Sequence, residues 1–259
     1  MDLDLAGRTA VVTGASRGIG LAVTRGLADQ GAKIVAGARR SSAELDRLAK
    51  DGSVRVLEVD LADPAGPARL VALAGEGPDI LVNNVGAAPT RTGGFLSISD
   101  EDWQASLDLN LMAAVRATRS ALPAMLAAGH GSIVTICSVN ASLPDPAVLD
   151  YSAAKAALAG FCKALSKEVG PRGVRVNTIS PGPVATDLWL GDHGVAQAVS
   201  QATGARPEDV ASQAAQGSVT GRFSRPEEVA DLVLLLASDR TANVTGADFR
   251  IDGGLIPTW

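Results

Sequence analysis

The sequence predicts an α/β fold, a doubly wound seven-stranded parallel sheet in a single domain. Three observations predict it. Short β-branched apolar runs alternate with amphipathic stretches from one end of the chain to the other. The runs are apolar at nearly every position, which suits strands covered on both faces. A glycine-rich turn follows the first run and opens a helix, as in a βαβ unit that binds at its helix N-terminus. At 259 residues the chain is long enough for a large core, and no linker divides it.

In chain order, the strands are read at TAVVT (9–13), KIVAG (33–37), VRVLEV (54–59), DILVN (79–83), SIVTIC (132–137), VRVNTI (174–179) and GADFRI (246–251). Helical stretches lie between them at about 18–30, 41–50, 65–75, 100–127, 150–169 and 225–237. The last helix shows how limits are written: Ser224 and Glu227 have capping-box spacing, Pro226 suits the first turn, and Val229, Leu232, Val233 and Leu236 form one apolar stripe. One segment breaks the alternation. Residues 187–221 have weak periodicity and sit between two strands, which predicts a substrate lid with short helices.

Composition narrows the function. A net charge of −5 gives no general attraction to nucleic acid or an anionic membrane. Cys137 and Cys162 form no CxxC pair and have no histidine cluster near them, so they read as buried thiols rather than a disulfide or metal site. The start MDLDLAGRTAVV lacks the basic-then-apolar pattern of a signal peptide, and no run approaches the length of a membrane span, so a cytoplasmic location is expected.

Directly after TAVVT comes GASRGIG, in which Gly14, Gly18 and Gly20 permit a tight turn, close approach to a pyrophosphate and close helix packing. The spacing is GxxxGxG rather than GxGxxG, and alone it also suits an ordinary βα turn. The second strand ends IVAGARR: Ala38 stands where an NAD site places an acid, and Arg39 and Arg40 follow. Arg17 adds a guanidinium suited to the same phosphate, so NADP(H) is preferred, with NAD(H) as the alternative and surface solvation as the plainer role for these arginines.

These residues resemble the short-chain dehydrogenases/reductases, whose members share a Rossmann fold, and in overall pattern the reductases of carrier-bound 3-oxoacyl chains. TGASRGIG (13–20) is similar to the family's cofactor loop, NNVG (83–86) to its NNAG, YSAAK (151–155) to its YxxxK and SPGPVATD (180–187) to its PG motif, in order and in register from about residue 5 to 254. Val85 and Ala141 depart from the usual alanine and glycine. The resemblance implies that Ser16 and Ile19 share the cofactor loop, that Asp60 and Leu61 meet the adenine, and that Asn84 and Gly86 meet the ribose. Pro181, Gly182, Val184 and Thr186 would hold the nicotinamide.

Tyr151 is the only tyrosine. A free phenol, with a pKa of about 10, is a poor acid and base at neutral pH. Lys155, at i+4 on the same helix face, would stabilise the phenolate and suit Tyr151 to general acid and base catalysis. Ser138 precedes Tyr151 by 13 residues, as in the family, where its hydroxyl holds the substrate oxygen. Asn110, polar within an apolar helix, reads as a satisfied core amide; the resemblance instead implies a helix kink and a water relay to Lys155. Cys137 reads as packing. Asn140 and Trp189 are expected at the substrate, with Leu188 and Leu190 either covering it or anchoring the lid on the core.

The expected activity is interconversion of a ketone and a secondary alcohol with NADP(H), with a 3-oxoacyl thioester, and hence an acyl-carrier protein, as the leading substrate class. Arg172 is kept where basic residues would meet an acidic carrier, but MLAAGHG (125–131) offers no second strong cation. The alternatives are an NAD-dependent alcohol dehydrogenase and a non-catalytic dinucleotide sensor; the complete set of Ser138, Tyr151, Lys155 and Asn110 disfavours the sensor. Small residues at Ala153, Ala157 and Gly160 permit close helix approach, which in the family builds a homodimer or homotetramer, or else serves packing within one chain.

Overall fold

The computed structural model describes residues 2–192 and 194–258, with Asp51 described through its backbone alone. Seven parallel strands form one sheet in the order β3-β2-β1-β4-β5-β6-β7. They are β1 (Thr9–Thr13), β2 (Lys33–Ala38), β3 (Val54–Glu58), β4 (Ile80–Asn83), β5 (Gly131–Ile136), β6 (Val174–Pro181) and β7 (Asp248–Ile251). All seven expected strands are present, with ends moved by one or two residues. The largest changes, of two residues each, are the later start of β7 and the extension of β6 to Pro181, which pairs with Ile251 and carries the PG segment to the sheet edge.

Each face of the sheet has its own core, because successive strand side chains point to opposite faces. Ala10 and Val12 of β1 join a cluster with Leu27 of α1 (Gly18–Asp29) and with Val229 and Val233 of the helix spanning Pro226–Ala237. Val11 points the other way, into a cluster with Leu70, Ala117, Met125 and Leu158. These belong to α3 (Gly66–Ala72), α5 (Ala113–Ala128) and α6 (Leu149–Val169), while α2 (Ala43–Leu48) follows β2. Burying a side chain such as Leu27 or Leu158 contributes roughly 2 kcal/mol.

The stretch expected as one helix over 100–127 is two. α4 (Asp100–Leu107) and α5 are joined by a π turn at Asp108–Met112, and α4 is closed by a capping box between Ser99 and Asp102. The 187–221 segment carries α7 (Asp187–Leu190), α8 (Val195–Thr203) and α9 (Pro207–Gln216). The final helix, α10 (Pro226–Ala237), starts as expected at a proline, but its cap lies one residue later than Ser224 and Glu227. The Arg225 N–H donates to Glu228 Oε2 at 2.7 Å. Arg222 grips Glu228 with two further bonds and holds its carboxyl at about 2. Ser224 is occupied elsewhere: its N–H donates to Pro183 O, and its hydroxyl lies 3.5 Å from Ile251 O.

Candidate active site

Strand order reverses between β1 and β4, and at such a switch point the strand ends open a crevice. The chain has a cleft there of about 1410 Å³. Thr13, the last residue of β1, closes its floor. Its hydroxyl donates to Val82 O at 3.2 Å and accepts the N–H groups of Asn84 (2.8 Å) and Val85 (3.1 Å). The Asn84 amide donates back to Thr13 O and Gly14 O at 2.9 and 3.0 Å.

On this floor α1 starts very close to the preceding turn. A Cβ on Gly20 would run into Gly14 O and stand 2.5 Å from Asn84 Nδ2, so no larger residue fits. Arg17, at the N-cap, makes no side-chain capping bond, and the first turn holds no acid. Its free N–H groups, beside the cleft-lining Ser16, Gly18 and Ile19, suit a diphosphate. Arg17, Arg39 and Arg40, all exposed, line the same end next to Ala38. Asp60 spends Oδ1 on the Ala62 N–H at 2.9 Å, and Leu61 beside it is buried. This donor-rich, cationic end fits a dinucleotide with an extra phosphate.

At the other end, after β5, stands Ser138. Its hydroxyl hydrogen-bonds the Tyr151 phenol and accepts the Asn140 N–H at 3.1 Å. Burial pushes the phenol up to about 12, with the Ser138 bond pulling the other way. Lys155 lies on the same face of α6, as its i+4 spacing predicts, and is 3% exposed. Its Nζ donates to Ile136 O at 2.9 Å and sits 5.7 Å from the Tyr151 ring centroid. Burial pulls Lys155 below the ordinary lysine range.

Asn110 and Gly20 do not reach the cleft wall. Asn110 lies in the π turn, where Nδ2 donates to Ser106 O and Ala87 O and Oδ1 accepts the Ala87 N–H, each within 3.1 Å. It is therefore a satisfied buried amide and also marks a helix distortion. It stands behind Gly86, on which a Cβ would come within 2.8 Å of Asn110 Oδ1 and 3.6 Å of Lys155 Nζ. Asn84, Gly86, Pro181, Gly182, Val184, Thr186, Asn140 and Trp189 all line the cleft. Trp189 packs edge-on against Phe223, with centroids 5.3 Å apart. Leu188 and Leu190 are exposed and do not anchor the lid on the core. Cys137 and Cys162 are buried, and burial raises both thiols.

Sequence reasoning missed Arg91 and Asp150. Asp150, fully buried beside Tyr151, receives Arg91 Nη2 at 2.6 Å and Nε at 3.3 Å, while Arg91 Nη1 reaches Asp102 at 3.0 Å. The Arg91 N–H also donates to Ala147 O at 2.7 Å. One guanidinium thus ties the starts of α4 and α6 to the loop after β4. An acid in the first helical turn reads as a dipole partner, and nothing in sequence spacing pairs it with a residue 59 positions away.

Comparison with known proteins adds to this geometry. A family model described as enoyl-(acyl carrier protein) reductase matches residues 14–256. The chain is 35% identical over 260 residues to the 3-oxoacyl-[acyl-carrier-protein] reductase FabG of Escherichia coli (strain K12), covering 98% of this chain and 99% of that protein. It is also 35% identical to oxidoreductase UcpA of the same organism, covering 96% and 95%. Among solved structures, L-sorbose reductase from Gluconobacter frateurii, complexed with NADPH and L-sorbose, matches with a TM-score of 0.89 and 36% identity over 100% of both chains.

Proposed function

This chain belongs to the short-chain dehydrogenase/reductase family and is an NAD(P)-dependent oxidoreductase, and from that premise we propose that it interconverts a ketone and a secondary alcohol with NADP(H) as preferred cofactor. One observation carries the reading: Ser138, Tyr151 and Lys155 meet at one end of a cleft whose other end is a glycine-lined helix start flanked by three arginines. Bound NADP(H) supplies the hydride in reduction and accepts it in oxidation. Tyr151 gives its phenolic proton to the carbonyl oxygen during reduction and takes it back during oxidation. Ser138 holds the same oxygen and stabilises charge developing on it. Lys155, its charge facing the ring, favours the phenolate between the two steps, and Asn110 holds the π turn against the loop beside it.

Preference for the extra phosphate is supported by Ala38 at the end of β2, by Arg17, Arg39 and Arg40, and by the NADPH in the related sorbose reductase. The finer substrate reading, a 3-oxoacyl thioester delivered by an acyl-carrier protein, is supported by the names of relatives such as FabG. Assembly into a dimer or tetramer is supported by α6, whose Ala153, Ala157 and Gly160 are exposed rather than used for packing within the chain. The 187–221 segment acts as the lid, since residues of α7, α8 and α9 line the cleft.

The test is to incubate the purified protein with NADPH and a broad ketone panel, following NADPH consumption and identifying the product. Formation of a secondary alcohol in step with NADPH loss is expected. Absence of NADPH consumption with every ketone would overturn the reading.

A further inference from the structure

We infer that the substrate end of the cleft takes an uncharged and largely apolar ketone or secondary alcohol, and selects against substrates bearing a carboxylate or many hydroxyls. The reaction itself rests on the reductase reading above, whereas the selectivity rests on separate observations. The half of the cleft holding Ser138 and Tyr151 is roofed by the segment after β5, by the lid after β6 and by the C-terminal tail. These contribute Leu143, Val148, Trp189, Val199, Val210 and Leu255. Such a lining rewards apolar surface and offers nothing to an ionised group.

The charges of the cleft are divided by end. Its exposed cations, Arg17, Arg39 and Arg40, come from the loops after β1 and β2, at the nucleotide end. The remaining lining cation, Lys155, is buried and donates to Ile136 O at 2.9 Å. Among the described residues, the charged groups that the roof brings to the cleft are Asp145 and Asp187. Asp145 is exposed and accepts the Ala147 N–H at 2.8 Å. Asp187 lies 3.7 Å from Arg17, and both side chains are largely in solvent. A substrate carboxylate entering here meets Asp145 at the rim and no free cation inside, so it would be desolvated without a partner.

Neutral polar partners are few as well, and one is the half-buried Thr90 in the loop after β4. Asn140 accepts from Ser138 at 3.2 Å and donates to Ser152 at 3.4 Å, so its amide is committed to the wall. On α8 and α9 the one polar side chain among the described lining residues is Gln213. A hydroxyl-rich ligand such as the sorbose bound by the related reductase would leave most of its hydroxyls unpaired against valine and leucine.

The experiment measures calorimetric Kd in the presence of NADPH, and kcat/KM, for methyl hexyl ketone, the same ketone ending in a carboxylate, and L-sorbose. The neutral ketone is expected to lead in both quantities by at least about 100-fold. Gln213→Lys, which places a cation on the roof at an exposed position, is expected to narrow the gap to the carboxylate about tenfold. Equal or better binding and turnover of the carboxylate or sorbose would overturn the inference while leaving the reductase reading in place. Tighter binding of the neutral ketone with no NADPH oxidation would sustain the inference and overturn the reductase reading. Failure of the neutral ketone to bind at all would overturn the inference.

Discussion

In the proposed reaction, Tyr151 and Lys155 divide the acid–base work unequally. A phenol held at about 12 by burial is almost wholly protonated at neutral pH, which suits it to give a proton and makes it slow to take one. The raised value has a linkage consequence. Any stability it contributes is fully present below the ordinary phenol pKa of about 10 and is lost as pH rises through about 12. Alcohol oxidation, which needs the phenolate, should therefore speed up as pH rises, while ketone reduction slows over the same range. Lys155, drawn below the ordinary lysine range, loses its proton before the phenol does, so its charge acts below the alkaline midpoint rather than at it. In rate measurements at about pH 7, Lys155→Met is expected to slow alcohol oxidation about tenfold or more, and Lys155→Arg to slow it less; an unchanged rate would show that Lys155 only fills space. The i+4 spacing made the shared face legible. It could not reveal the bond to Ile136 O, which depends on β5 ending against α6, nor the burial that outweighs the Ser138 hydrogen bond at the phenol.

At the scale of elements, the start of α6 is held as firmly as any part of the site. Asp150 is fully buried and receives a bidentate guanidinium from Arg91, which also bonds Asp102 at the start of α4. Arg91→Ala would leave a buried carboxylate without its partner, and a loss of about 3 kcal/mol is expected in urea unfolding. Adding Asp150→Asn should recover part of that loss, because the stranded charge is gone. Equal stability of Arg91→Ala and the native chain would contradict the pairing. Strand positions were legible because period and β-branching are local properties. The break between α4 and α5 was not, since the π turn is fixed by Asn110 bonding Ala87 in another segment. The cap of α10 moved by one residue because Ser224 bonds Pro183 instead.

Across the whole molecule, the seven-stranded parallel order brings the loops after β1, β2, β4, β5 and β6 to one edge, and charge is sorted along it. The cationic end should set cofactor choice. Arg39→Ala is expected to weaken NADPH binding about tenfold in titrations and to leave NADH within a few-fold; equal weakening of both would mean that Arg39 does not read the extra phosphate. The order of the motifs made this edge legible. The apolar lining of the substrate end was not, because Leu143, Val199 and Leu255 come from segments with no shared periodicity. The central claim, that Tyr151 moves the proton, is tested most directly by comparing the native protein with Tyr151→Phe in single-turnover ketone reduction at saturating NADPH. An unchanged Kd for NADPH with a rate lowered about 10³-fold is expected. A rate within a few-fold of native would contradict it.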